Sequence, residues 1–129
     1  MDKKIANMWI KALESGDYKQ GRFALRDNKD CFCCLGVLCD LYNKDRKEKK
    51  KKSIKILGPE YDGNKNLTVF QYGKQKDFLP IAVRKWAGMS SNKGWVNGVN
   101  LSDLNDGRLN KPYNFKEIAK FIEEHSENL

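Results

Sequence analysis

The chain has 129 residues, a length that one hydrophobic core can organise, with 40% hydrophobic and 33% charged side chains. Three Trp, five Tyr and six Phe exclude a disordered chain, and no apolar run approaches the roughly 20 residues needed to cross a bilayer. Twenty-five basic against seventeen acidic side chains leave a net charge of +8, and Lys44–Lys52 (KDRKEKKKK), with seven basic and two acidic residues, carries +5 of it.

The start, Met1-Asp2-Lys3-Lys4, leads into a mixed helix rather than the apolar core of a signal peptide. Ile5, Met8, Trp9, Ala12 and Leu13 recur at helical spacing, and Ser15-Gly16-Asp17 stops that helix. Gln20 to Arg26 then alternates, which predicts a half-buried strand with Phe23 and Leu25 inward and Arg22 and Arg26 outward. Asp27-Asn28-Lys29-Asp30 reads as a turn. Phe32, Leu35, Leu38, Cys39 and Tyr42 share one face of a second, largely buried helix. The basic stretch reads as a solvated linker. Ser53–Leu57 and Leu67–Tyr72 read as hairpin strands, with turn residues at Gly58-Pro59 and Asp62-Gly63-Asn64. Pro80 opens a third helix, Ile81–Ala87, ended by Gly88. A loop interrupted by Trp95 runs to Asn100, and Leu101–Asp106 makes a short helix stopped by Gly107. Asn114 and Glu117 form a capping-box start to the last helix. Separated helices and hairpin strands give an α+β fold, several helices packed on a small antiparallel sheet, as one domain over residues 1–129.

Cys31, Cys33, Cys34 and Cys39 crowd into nine residues, whereas zinc sites need two ligand pairs set well apart. Their apolar neighbours assign them to packing. The single histidine, His125, lies among glutamates near the C-terminus and reads as a surface residue. No known catalytic signature is present, and pairs such as Asp103 with Asp106 are explained by capping. Hence no catalytic residue, metal ligand or cofactor is assigned.

A binding surface remains. Tyr18, Lys19, Gln20 and Gly21 lead into Arg22 and Arg26, whose planar forks suit phosphate oxygens. Gly21 permits close backbone approach, and Tyr18 or Trp95 offers a ring for stacking. Asn105, Asp106 and Arg108 add amide, carboxylate and guanidinium groups, although turn formation also accounts for them.

Trp9-x-x-Ala12-Leu13-x-Ser15-Gly16-x-Tyr18-x-Gln20-Gly21, then Leu25-Arg26, Cys33-Cys34-Leu35-Gly36-Val37-Leu38-Cys39-Asp40 and Leu104-Asn105-Asp106-Gly107, resembles a family of small tailed-phage proteins. Residues 44–76 fall outside the likeness and read as a variable, Lys-rich insertion. By analogy with phage anti-defence proteins, the resemblance implies a homo-oligomer in the host cytoplasm. Such a protein sequesters a small nucleotide immune signal, cyclic dinucleotide-like or ADP-ribose-like, without catalysis. The alternative is a basic accessory protein that binds nucleic acid or inhibits a host protein. No membrane partner is expected.

Overall fold

In the computed structural model, which describes residues 1–129, helix α1 runs Lys3–Glu14. It starts at Lys3 because the Asp2 carboxylate accepts the Ile5 amide at 3.0 Å. Its apolar face, Ile5, Ala6, Trp9 and Leu13, packs on helix α5, Phe115–His125. At the head of α5, Asn114 accepts the Glu117 amide at 2.8 Å while Glu117 accepts the Asn114 amide at 3.1 Å. That reciprocal cap is the one the sequence predicts.

Helix α2, Cys34–Glu48, is the centre of the core. Residues Cys34 to Cys39 are buried on every side, as expected of a helix apolar all round its first turns. The Trp9 indole, itself fully buried, donates to the Cys34 carbonyl at 2.9 Å and ties α1 to α2. Gly36 lets the chain before α2 pass across it: a Cβ there would sit 1.7 Å from the Leu25 carbonyl oxygen. All four cysteines are buried and free.

Three two-stranded ladders lie around these helices. Strands β1 (Lys19–Gln20) and β2 (Cys31–Phe32) pair in parallel. Strands β3 (Ile56–Asp62) and β4 (Leu67–Tyr72) form an antiparallel hairpin. Helix α3 spans Ile81–Ala87 and closes on the left-handed Gly88. Strands β5 (Trp95–Val96) and β6 (Val99–Asn100) form a small antiparallel hairpin. Helix α4, Leu101–Asp106, ends at the left-handed Gly107, and a single turn, Ser126–Asn128, follows α5. The fold is α+β, five helices with small sheets.

Four expectations are corrected. Of the strand forecast for Gln20–Arg26 only the two ends pair, Gln20 in β1 and Arg26 in an isolated antiparallel bridge to Phe32, because Phe23 adopts φ 68° and breaks the alternation. Phe23 points outward, while the consecutive Ala24 and Leu25 are both buried. The basic stretch is no linker at its start, since Lys44–Glu48 completes α2. Gly58-Pro59 lies inside β3, at a bulge between Leu57 and Glu60, and the hairpin reverses later, after Asp62. Finally, the loop before Asn100 contains the β5–β6 hairpin. Its Asn97-Gly98 turn has both residues at positive φ, 51° and 81°, the conformation that favours Asn-Gly between strands.

Candidate functional site

Phe23 is the unusual residue of this surface. A bulky residue in the left-handed region costs roughly 1–2 kcal/mol, so the surroundings must hold it there. Two charged side chains do so. The Phe23 amide donates to Asp106 Oδ1 at 2.9 Å, and its carbonyl accepts from Lys65 Nζ at 2.6 Å. Asp106 comes from the end of α4 and Lys65 from the β3–β4 turn, so two distant elements clamp the backbone on both sides of one residue. Phe23 stays 43% exposed, with the Arg108 guanidinium 5.7 Å from its ring centre.

Behind the ring lies a cavity of about 60 Å³, room for a few waters or one small chemical group. Lys65, Asp77, Asp106 and Arg108 line it with Phe78, and Cys33 and Ser102 form part of its wall. Lys65 pairs with Asp77. Burial lowers the Lys65 ammonium from its ordinary pKa, against the pull of Asp62 and Asp106. Arg108 is held loosely, with Asp103 and Asp106 oxygens at 3.8 and 3.7 Å, so its donors are free for an anion. Burial pushes the Cys33 thiol up to about 12, which keeps it protonated at neutral pH and unsuited to attack as a thiolate.

A family model described as "Domain of unknown function (DUF8296)" matches residues 1–126. The chain belongs to the DUF8296 family. No curated protein and no solved structure matches it.

In this DUF8296 chain, most of the side chains nominated from sequence are spent on the scaffold. Asn105 is fully buried, and its Oδ1 accepts the first-turn amide of Cys34 at 3.2 Å and the Gln20 amide group at 3.0 Å. Its Nδ2 donates to the Gly21 carbonyl at 2.9 Å and to Asp106 at 3.0 Å. Gln20 also donates to the Tyr113 carbonyl at 2.9 Å. Gly21 serves close packing rather than a ligand, since a Cβ there would lie 2.8 Å from the Cys31 Cβ. Tyr18 donates to Asp40 and accepts from Lys44 at 3.0 Å, and its ring meets Phe32 edge-on.

Arg26 is not a free strand guanidinium. Two of its N–H groups converge on Asp30 Oδ1 at 2.9 and 2.7 Å. Its guanidinium lies 5.4 Å from the Phe32 ring centre and 4.6 Å from that of Phe70. Arg22 and Lys19 are exposed, with no carboxylate within ion-pair distance. Trp95 sits exposed on the β5–β6 hairpin and does not line the cavity. Of the nominated residues, only Asp106 and Arg108 line the cavity. Sequence reasoning missed Phe23, Lys65 and Asp77. The only available signal was that Phe23 interrupts a string of small and polar residues; Lys65 and Asp77 lie in or beside the Lys-rich region set aside as variable.

Proposed function

We propose that this chain is a non-catalytic binding protein that sequesters a small phosphate-bearing nucleotide at the Phe23 cleft. The observation that carries the reading is the clamped left-handed Phe23, an aromatic ring displayed at backbone cost beside an underused guanidinium. A base stacks on the open side of the ring, an interaction worth about 1–3 kcal/mol. Arg108, with Arg22 next to Phe23 in the chain, meets the phosphates through charge-assisted hydrogen bonds worth about 1.5–3 kcal/mol each. The Asp77 and Asp106 carboxylates suit hydroxyl donors such as those of ribose. A cavity of about 60 Å³ admits only a small part of such a ligand, so the remainder lies across the mouth, where a second subunit of a homo-oligomer can cover it.

The anti-defence role, with a cyclic dinucleotide or an ADP-ribose derivative as the signal withheld, extends this reading by analogy with phage anti-defence proteins. The test is calorimetry on the full chain with a panel of cyclic di- and trinucleotides and ADP-ribose derivatives. Saturable binding by at least one of them, lost in Arg108→Ala, is the expected result. Release of that compound intact on heating separates sequestration from hydrolysis. Heat-silent mixing with every compound overturns the reading.

A further inference from the structure

The basic stretch and strand β3 supply no residue that lines the Phe23 cleft, where the hairpin is represented only by Lys65 of its turn, and β3 has an open edge. Strand β4 is covered on its far side: Phe70 donates to the Arg26 carbonyl at 2.9 Å and Asn28 to the Thr68 carbonyl at 3.0 Å. Tyr72 exchanges both main-chain bonds with Gln75, at 2.8 and 3.1 Å. Thr68, Phe70 and Tyr72 therefore direct main-chain groups away from β3. In an antiparallel ladder the bonded positions alternate. Their partners Ile56 (opposite Tyr72) and Tyr61 (opposite Thr68) consequently turn their own N–H and C=O groups outward. The Gly73 amide donating to the Lys55 carbonyl at 2.8 Å fixes the same alternation from the other end.

This edge carries exposed apolar side chains, with one exposed carboxylate, Glu60, among them. Ile56, Leu57 and Tyr61 are 38%, 41% and 64% exposed. Lys50, Lys51, Lys52 and Lys55 run directly into it, and Lys74 lies just beyond β4. Edge lysines, a proline and a bulge discourage a strand edge from pairing with another chain, and of the three only the charge depends on which chain approaches. Here all three occur together with unshielded apolar side chains. Like charge repels a second copy, and the same charge attracts an acidic strand. We infer that β3 docks an extended, acidic segment of a partner protein by strand addition, with main-chain bonds at Ile56 and Tyr61 and the lysines meeting its carboxylates.

The test uses the full chain and three fluorescent probes: an alternating Val-Glu decapeptide, an alternating Val-Lys decapeptide and an oligothymidylate. The Val-Glu peptide is expected to bind at least roughly tenfold tighter than the Val-Lys peptide. Ile56→Pro removes an outward donor without touching the β3–β4 bonds and is expected to weaken that binding roughly tenfold. Should that variant fail to fold, Lys51→Glu/Lys52→Glu/Lys55→Glu decides, since it should reverse the peptide preference. Equal binding of the two peptides overturns the proposal, as does a folded Ile56→Pro chain with unchanged affinity. Tighter binding of oligothymidylate, indifferent to Ile56→Pro, assigns the basic run to nucleic acid and also overturns it. So does sedimentation as a dimer that Ile56→Pro dissociates.

Discussion

Asp106 Oδ1 lies 2.9 Å from the backbone nitrogen of Phe23, although the two residues are 83 positions apart. Through this bond the end of α4 sets the backbone that displays the Phe23 ring. Asp106→Ala removes an acceptor shared by the Phe23 amide and the Asn105 side chain, and the expected cost is about 1–3 kcal/mol. Phe23→Gly behaves differently. Relief of the left-handed strain offsets the lost ring contact and the added chain entropy, so stability stays within about 1 kcal/mol. Nucleotide binding is nevertheless lost. Paired thermal melts and calorimetry check both outcomes, and retained binding in Phe23→Gly removes the ring from the site.

Asn105→Ala is expected to be among the most damaging polar substitutions. It strands the Cys34 amide, the Gly21 carbonyl and one Gln20 donor in the interior, and each stranded group costs about 1–3 kcal/mol. Urea unfolding should show a loss of at least about 3 kcal/mol. A loss below about 1 kcal/mol means that water replaces these bonds.

Arg26 and Arg22 should separate. From sequence, both read as surface residues whose replacement by Ala changes stability by no more than about 0.5 kcal/mol. Arg22→Ala should follow that rule. Arg26→Ala should cost about 1–2 kcal/mol, because it removes the contacts with Phe32, Phe70 and Asp30. Chemical denaturation of the two variants distinguishes them, and nucleotide affinity should be unchanged in Arg26→Ala.

Gly36→Ala is expected to prevent native packing. The added methyl collides with the Leu25 backbone, which has no rotamer by which to escape. A loss exceeding about 3 kcal/mol, read as insoluble or molten protein, is expected. Gly98→Ala offers a contrast, since its Cβ meets nothing and only its left-handed φ of 81° is strained.

Stability should fall in alkali. Burial raises the thiols of Cys33, Cys34 and Cys39 above their ordinary value of 9.0, Cys33 to about 12, and raises the Tyr72 hydroxyl as well. Below that ordinary value both states hold these protons, and the stabilisation is fully present. Above it the unfolded chain ionises while the native chain does not, so stability is lost as pH climbs from about 9 toward 12. Each such thiol contributes about 1.4 kcal/mol per pH unit. Urea midpoints near pH 7 and about 10.5 measure the drop, which Cys39→Ala should reduce by one thiol's share.

Helix positions followed directly from local chemistry. Trp9 and Leu13 with their neighbours, the Asn114–Glu117 cap, Pro80 before α3, and the stops at Gly88 and Gly107 all act within a few residues. Asn97-Gly98 carried a hairpin signal of the same kind, masked by the surrounding Ser, Asn and Gly. Between Gln20 and Arg26 the period-two pattern pointed to a strand, yet the decisive bonds come from Asp106 and Lys65. No local rule contains them. The same holds for Asn105, whose sequence context is an ordinary helix end and whose partners lie on β1 and α2.

The sequence by itself determined the α+β class, the five helices and the burial of the cysteines, because periodicity, capping and composition are short-range. Only the tertiary structure decided which polar residues are scaffold and which face a ligand. A guanidinium or amide has the same local pattern whether its partner is Asp30, Gly21 or a phosphate, and the packing of distant elements selects among them.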